Sequence, residues 1–273
     1  PALLQALLAI QPHERARRVD PGAKVAETVQ RIRQRLDAVF EDAIFHKRCT
    51  GNPAAALRRK MREAMPRKGG GQFARLPYRE APAFMQRLRA MEGTAARTLE
   101  FAILTAARTG EALGARWAEF DLEAGTWLVP AERMKASGKD KAEPHLVYLS
   151  ARAVEILRGQ AGQHAELVFP STMKANAPQS NMAMLAVLDR MGERQRTTVH
   201  GVCRATFSSW ANETNAARPD VIEACLAHRE ADKVRAAYNG AQYIEERRAL
   251  LAAWADYLAQ PPAAVLTFPA RAA

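Results

Sequence analysis

Cysteine and long apolar runs are both scarce in this chain of 273 residues. The three cysteines, Cys49, Cys203 and Cys225, are scattered and show no C-x-x-C spacing. This pattern excludes a disulfide scaffold, argues against a structural zinc site and favours a reducing, cytoplasmic compartment. No stretch approaches the roughly 18 uncharged apolar residues of a membrane-spanning helix, so a membrane is not expected as a partner.

The sequence also lacks the short motifs that bind nucleotides or metals. It contains no G-x-x-x-x-G-K-[ST] phosphate loop, no H-E-x-x-H helix and no G-x-S-x-G turn. Enzyme classes that depend on those motifs are therefore disfavoured, and we expect neither a metal nor another cofactor.

Acidic residues are in short supply near the start of the chain, and the formal net charge is +11. Residues 1–77 carry 16 Lys and Arg against 7 Asp and Glu, whereas residues 78–273 carry 24 against 22. A regional excess of this kind favours nucleic acid as the partner, although a solvated helix face is the alternative for any single cluster. Arg33 lies within the first cluster. The residues expected to contact DNA are Arg31, Arg35, Lys47, Arg48, Arg58, Arg59 and Lys60.

Hydrophobic periodicity divides the chain into two parts. Apolar residues at three- and four-residue steps predict a helix over 23–44, and a short basic helix follows Gly51-Asn52-Pro53. Three consecutive glycines indicate a linker over 66–77, and the Pro- and Ala-rich tail 260–273 is expected to be loose. The later helices are predicted over 79–91, 95–106, 109–117, 151–160, 180–191, 202–214, 218–227, 231–238 and 241–259.

Three short runs between these helices have the character of strands. They are 120–122, 127–130 and 145–149, and a polar hairpin loop at 137–140 lies between the last two. The chain is therefore predicted to be mainly α, with a helical first domain and a mixed α/β second domain that contains a small three-stranded antiparallel sheet.

A dispersed set of cationic and imidazole side chains, followed by a tyrosine, runs through the second part. In chain order its members are Arg108, Lys135, His200, Arg204, His228 and Tyr238. They lie in the strings LTAARTGEALGARWAEFDL, WLVPAERMK, VHGVCRATFSSWANET and CLAHREADKVRAAYNG. Each string alone is a weak signal, but the ordered series resembles the tyrosine recombinases, specifically the prophage-type phage integrases, over roughly residues 20–259.

The resemblance implies a fold and an activity. Residues 1–65 would be a core-binding domain that is incomplete at its start, and residues 78–259 a catalytic domain with the DNA breaking-rejoining fold. The two would form a C-shaped clamp around duplex DNA. Because the chain begins without methionine, we expect it to be part of a longer protein with a further N-terminal arm-binding domain.

The implied activity is site-specific cleavage and rejoining of duplex DNA at attachment sites, without metal or ATP. The implied assembly is a tetramer on DNA, with accessory DNA-bending or excision factors as possible partners. A catalytically silent DNA-binding prophage relic and a type IB topoisomerase-like enzyme are the alternatives.

The resemblance also assigns a role to each residue of the series. Arg108 and Arg204 would bind the non-bridging phosphate oxygens, since a guanidinium is permanently charged and donates two parallel hydrogen bonds. Lys135 would protonate the leaving 5′-oxygen. His200 and His228 would bind the phosphate and assist proton movement. Tyr238 would be the nucleophile, and Glu111 would orient a guanidinium.

Several of these residues have other interpretations. Arg108 could simply pair with Glu111 across a helix turn. Lys139 and Lys141 compete with Lys135 in the same loop, and Tyr243 competes with Tyr238. Either histidine taken alone is more often a structural residue than a catalytic one.

The second motif departs from the family pattern. The family usually has His-x-x-Arg, whereas His200-Gly-Val-Cys-Arg204 has one more intervening residue. On an α-helix, residues four apart still share a face, so both side chains are expected to point into one site. Cys203, between them, is interpreted as a small core residue.

The apolar helix at 241–259 leaves two alternatives open. It could dock on a neighbouring protomer, with Asn239-Gly240 as a hinge and Tyr238 withdrawn from the arginines in the free protein. It could equally pack within its own chain as ordinary core.

Overall fold

The structure is a computed structural model that describes residues 26–64, 74–135, 143–228 and 242–261, together with Ala6. The chain separates into two compact units, residues 1–71 and 72–273. Several predictions fall outside the described residues: the nucleophile Tyr238, the hinge at 239–240, the helix 231–238, the loop 137–140, the glycines at 69–71 and the tail from 262 onward.

Three helices are described in the first unit: α1 (Ala26–Phe45), α2 (Pro53–Ala56) and α3 (Arg58–Ala64). Asn52 caps α2, because its Oδ1 accepts hydrogen bonds from the backbone N–H groups of Ala54 and Ala55, each at 3.0 Å. The same side chain donates to Asp37 Oδ1 on α1 at 2.8 Å. One residue therefore both begins α2 and fixes it to α1, and the two helices that the periodicity predicts here are present.

The second unit is mainly helical. Short 3₁₀ turns at Tyr78–Glu80, Trp117–Glu119 and Ala131–Arg133 connect its elements. A π-helical turn at Gly201–Ala205 runs directly into α9. Its α-helices are α4 (Ala81–Arg89), α5 (Thr94–Leu104), α6 (Thr109–Leu113), α7 (Ala151–Gln160), α8 (Ala183–Arg190), α9 (Thr206–Glu213), α10 (Pro219–Cys225) and α11 (Ile244–Ala259).

A three-stranded antiparallel sheet of order β1-β2-β3 lies in the same unit, as predicted. The strands are β1 (Phe120–Asp121), β2 (Thr126–Val129) and β3 (His145–Tyr148). The register places Trp127 opposite Phe120 on one side and Val147 on the other. Trp127 is fully buried and stacks on Phe120 at 5.3 Å between ring centroids, which fixes the sheet against the helices.

The core of the second unit is built around α5, whose residues are buried on almost every side. Helix α11 packs into this core within its own chain, since Leu250, Leu251 and Trp254 are buried. The Trp254 indole donates to the carbonyl of Ile103 on α5 at 2.9 Å. The alternative in which this apolar face docks on a neighbouring protomer is therefore wrong for residues 244–259.

Residues 74–77, which the sequence analysis places in the linker, pack with the second unit. Leu76 is fully buried in the core. The carbonyl of Leu76 accepts a hydrogen bond from Thr206 Oγ1 at 2.8 Å, and the carbonyl of Ala74 accepts one from the backbone N–H of Thr198 at 3.3 Å. This segment is thus part of the surroundings of the π-helical turn.

None of the helices in the described ranges is long and apolar enough to cross a membrane.

Candidate active site

Arg108 is the first residue of the predicted series, and it immediately precedes α6. Glu111, buried on the first turn of α6, accepts from the backbone N–H of Arg108 at 2.8 Å and from its Nη1 at 2.7 Å. The other guanidinium nitrogen, Nη2, donates to the carbonyl of Ala227 at 3.1 Å. The guanidinium is therefore held from two sides while about a quarter of the side chain remains exposed.

Arg204 lies on the π-helical turn and is only 3% exposed. Its Nη1 donates to the carbonyl of Ala106 at 2.7 Å, and its Nη2 donates to the carbonyl of Leu226 at 2.6 Å. Burial, followed by the positive charge of Arg108, lowers the pKa of Arg204 to about 10. The side chain still carries its charge at neutral pH, close to a second cation.

The two arginines are held mainly by backbone carbonyls, which carry only partial negative charge. Within the described residues no carboxylate forms an ion pair with Arg204, and its buried Nε has no hydrogen-bond partner there. Ala106 and Ala227, whose carbonyls receive these guanidinium bonds, have left-handed backbones with φ of 49° and 48°. Such conformations are costly for alanine and concentrate at functional sites. The arrangement is suited to binding an anion.

His228 contacts both Arg204 and Glu223. Its Nε2 lies 2.8 Å from Arg204 Nη2, and its Nδ1 lies 2.6 Å from Glu223 Oε2. Because a guanidinium only donates, Nε2 must accept, and the ring proton is on Nδ1, where the carboxylate accepts it. Glu223 is absent from the residues proposed from sequence. A glutamate five residues before the histidine was the only available signal.

His200 immediately precedes the π-helical turn that carries Arg204, so the α-helix expected to connect the two residues is wrong. The backbone N–H of Thr206 bonds to the carbonyl of Gly201, which is the i→i+5 pattern. This wider turn accommodates the residue that is additional to the His-x-x-Arg spacing.

Electrostatics place His200 close to the other candidates. Partial burial comes first among the causes that lower its pKa, followed by the positive charge of Arg204. The further contributors are His228, Arg108 and Lys135. The charges of these candidate residues therefore act on His200 although the motif has one more residue than the family pattern.

Lys135 is exposed and follows the 3₁₀ turn after β2. Arg133, in that turn, donates to the carbonyl of Glu111 and to the carboxylate of Glu119. These contacts fix the turn to the helix that follows Arg108, and Arg133 is a second supporting residue that sequence reasoning missed. Lys139 and Lys141 lie outside the described residues.

Tyr243 and Cys203, the other side chains near the site that could be considered as nucleophiles, have the surroundings of structural residues. Tyr243 precedes α11 with a left-handed backbone and lies under the guanidinium of Arg218 at 5.2 Å from the ring centroid. Burial raises the pKa of Cys203 to about 12, so its thiol remains protonated and is a poor nucleophile.

The seven basic residues expected to contact DNA are all exposed in the first unit. Arg33, counted in the same cluster, is instead buried. Its Nη1 pairs with Asp37 at 3.1 Å and donates to the carbonyl of Ala54 at 3.3 Å. It belongs to the packing of α1 against α2, and its inclusion in the basic surface is corrected.

Comparison with known proteins gives these residues a family. The sequence model described as the phage integrase family matches residues 75–244, which is more than half of the chain. The chain is a member of the phage integrase family.

Individual phage integrase relatives extend the similarity beyond the matched range. Prophage integrase IntZ of Escherichia coli (strain K12) is 36% identical over 233 residues, which cover 84% of this chain and 55% of that protein. The integrase of Enterobacteria phage P4 is 31% identical over 255 residues, which cover 89% of this chain and 57% of that protein. The chain thus spans little more than half the length of these relatives.

Solved structures agree with the family at the level of the fold. One chain of a lambda integrase tetramer bound to a Holliday junction superimposes on this chain with a TM-score of 0.55 at 19% identity. The match covers 85% of this chain and 63% of the lambda integrase chain. The predicted fold class, a mainly helical tyrosine recombinase fold with a small antiparallel sheet, is confirmed for this phage integrase family chain.

Proposed function

We propose that this chain is the DNA-binding and catalytic part of a site-specific recombinase. It cleaves and rejoins duplex DNA through a 3′-phosphotyrosine intermediate at Tyr238. The observation that carries the proposal is the pair Arg108 and Arg204, both held on the carbonyls of residues 226–227, with Glu111 as the one carboxylate among the described residues that pairs with either guanidinium.

The charges of Arg108 and Arg204 favour the transition state of a reaction at phosphate over its ground state. A phosphodiester carries one negative charge, and an attacking nucleophile gives the pentacoordinate state a second. Two guanidiniums fixed before the reaction stabilise that additional charge without reorganising. Arg204 donates through Nη1 and Nη2 to backbone carbonyls and through Nη2 also to His228, and its Nε is buried without a partner among the described residues. The exposed edge of Arg108 is the part of the pair that is open to a phosphate.

The reaction that we propose proceeds in line. The Tyr238 oxygen forms a bond to phosphorus as its proton departs, and the bond from phosphorus to the 5′-oxygen breaks. Lys135 supplies a proton to that 5′-oxygen, and attack by a 5′-hydroxyl reverses the sequence to rejoin a strand. His200 and His228 bind the phosphate and take part in moving the proton. No step requires a metal ion or ATP.

The first unit supplies affinity in this proposal. Residues 1–65 act as a core-binding domain and 260–273 as a tail. The catalytic domain is extended to 74–259, because residues 74–77 pack with it, which leaves 66–73 as the connection. The exposed basic side chains neutralise phosphates. Replacing Arg58, Arg59 and Lys60 by Gln should therefore make the plot of log association constant for DNA against log salt concentration less steep, by roughly 2 to 3 in slope. A slope equal to that of the wild type would remove these residues from the interface.

The assembly is proposed from the named relatives. Lambda integrase is described as a tetramer bound to a Holliday junction, and we propose that this chain also acts as a tetramer on duplex attachment sites. Accessory DNA-bending or excision factors are proposed as further partners, and the cytoplasm as the place of action.

A trapping experiment tests the reaction. Nicked suicide duplexes tiled across the DNA that flanks the coding region are incubated with the protein in EDTA, and a denaturing gel detects covalent adducts. Wild-type protein and the matched control Tyr243→Phe should form an adduct on particular duplexes, whereas Tyr238→Phe should form none. An adduct that persists in Tyr238→Phe, or that requires Mg²⁺, would contradict the mechanism.

The same experiment separates the alternatives. Salt-sensitive binding with no adduct on any duplex would identify a silent DNA-binding protein. Relaxation of supercoiled plasmids of arbitrary sequence would identify a topoisomerase-like enzyme. The additional residue before Arg204 favours a silent protein, whereas a π-helical turn that takes up this residue supports an active one.

A further inference from the structure

We infer that Glu223 is a positioning residue for the strand-transfer reaction: it fixes the tautomer of His228 so that the unprotonated Nε2 faces Arg204. The inference deepens the proposed function and rests on it. Glu223 acts through His228 and does not itself touch the DNA.

The local backbone brings the two side chains together. Glu223 lies in the last turns of α10, which ends at Cys225. The left-handed backbone of Ala227 turns the chain back, and the backbone N–H of His228 bonds to the carbonyl of Glu223 at 3.0 Å. The imidazole Nδ1 then lies 2.6 Å from Glu223 Oε2, within the range of a charge-assisted hydrogen bond.

This contact and the one with Arg204 require the same ring tautomer. In a neutral imidazole one nitrogen donates and the other accepts, and a carboxylate only accepts. Glu223 therefore holds the proton on Nδ1, and the Nε2 lone pair faces the guanidinium of Arg204 at 2.8 Å. In water without such a partner the proton is free to occupy either nitrogen.

The chemical consequence concerns the placement of Arg204. Nε2 accepts from Arg204 Nη2 only in the tautomer that Glu223 favours, and a proton on Nε2 would remove this bond from a guanidinium that we propose to bind the phosphate. The ring contacts Glu223 through Nδ1 and Arg204 through Nε2, and after burial the charge of His228 is among the causes that lower the pKa of His200.

The experiment measures the tautomer and the reaction separately, in the full chain. The ¹⁵N-labelled imidazoles of wild type, Glu223→Ala and Glu223→Gln are examined by NMR, with His228→Gln assigning the resonance. The control is Glu246→Ala, because Glu246 has the same 51% side-chain exposure as Glu223 but pairs with Arg218. Thermal unfolding shows whether each variant retains its fold.

Wild type and Glu246→Ala should hold His228 with its proton on Nδ1, and Glu223→Ala should move the population toward Nε2. Glu223→Gln, which keeps an accepting oxygen but loses the charge, should retain the tautomer. In single-turnover cleavage of saturating suicide DNA, Glu223→Ala should be about 10- to 100-fold slower and Glu223→Gln intermediate. The dissociation constant for DNA should stay within about twofold, because Glu223 is not expected to touch DNA.

An unchanged His228 tautomer in Glu223→Ala, or an unchanged cleavage rate, would overturn the inference. If wild-type protein formed no adduct at all, the proposed function would fail, and the NMR comparison would still decide whether Glu223 orients His228.

Discussion

Replacing Glu100 by Gln should destabilise the second unit strongly. Glu100 lies on α5 with a side chain that is 0% exposed. Its Oε1 accepts from Arg89 Nε at 3.0 Å and from Arg152 Nε at 2.9 Å, and its Oε2 accepts from Arg97 Nη1 at 2.7 Å. These arginines come from α4, α5 and α7, so a single carboxylate joins three helices.

The expected magnitude follows from the charges that would remain. Glutamine keeps the shape but leaves three partly buried guanidiniums without their common anion. Removal of one partner from a buried ion pair costs about 3–5 kcal/mol. For a unit of this size about 1 kcal/mol lowers the melting temperature by roughly 2–4 °C, so a decrease of about 6–20 °C is expected.

The measurement is urea unfolding followed by tryptophan fluorescence. All four tryptophans, Trp117, Trp127, Trp210 and Trp254, belong to the second unit, so the signal reports that unit alone. The control is Glu155→Gln, since Glu155 pairs with the same Arg152 at 2.9 Å but is 69% exposed. That variant should lose less than about 1 kcal/mol. A loss in Glu100→Gln no larger than in the control would refute the argument.

Two further variants test the surroundings of the site. Gly201→Ala should lower the free energy of unfolding by about 1–3 kcal/mol in the same urea assay, because the added Cβ would lie 2.0 Å from the carbonyl oxygen of Ala74. The control is Gly159→Ala on α7, whose added Cβ meets nothing within 4 Å, and this variant should be neutral or stabilising. Equal free energies of unfolding for the two variants would contradict the predicted clash, because the backbone near Ala74 would then accommodate the added Cβ at little cost. Burial, followed by the charge of Arg247, lowers the pKa of His145 to about 4 from 6.5. The unfolded chain therefore binds a proton here at a higher pH than the folded protein does, so the folded protein is unaffected above pH 6.5 and loses stability as the pH falls toward 4. Relative to His145→Gln, wild type should lose up to about 3 kcal/mol over that range, and parallel pH curves would contradict the assignment.

The sequence was sufficient for much of the fold because its signals are local. The apolar period of α11 and the strand-like runs of β2 and β3 are visible without the structure, and the elements lie close to their predicted bounds. The same apolar period is compatible with packing in either the same chain or a neighbour. The answer depended on the contact between Trp254 and Ile103, which are far apart in the sequence.

The candidate site could be predicted only in part. Arg108 and Arg204 stand in recognisable strings, but what holds them is the backbone of residues 106 and 226–227, and carbonyls leave no mark in a sequence. The π-helical turn lies against a distant segment, residues 74–76, and such a contact cannot be read from the local sequence. Arg33 has the same composition signal as the exposed arginines around it, and only its burial against Ala54 distinguishes it.

The contacts of Ala74 and Leu76 bear on how the protein is divided for experiments. The Leu76 side chain fills the core, and the carbonyls of both residues receive hydrogen bonds from the segment 198–206, which carries His200 and Arg204. A shortened protein that began at residue 78 would lack these partners, leaving a hollow in place of Leu76 and a Thr206 hydroxyl whose remaining partner is the carbonyl of Gly201, at 3.1 Å. Fragments intended to isolate the chemistry should therefore begin before Ala74. A lower activity in a fragment that begins at residue 78 than in one that begins just before Ala74 would report damage to this turn, since both lack the first unit.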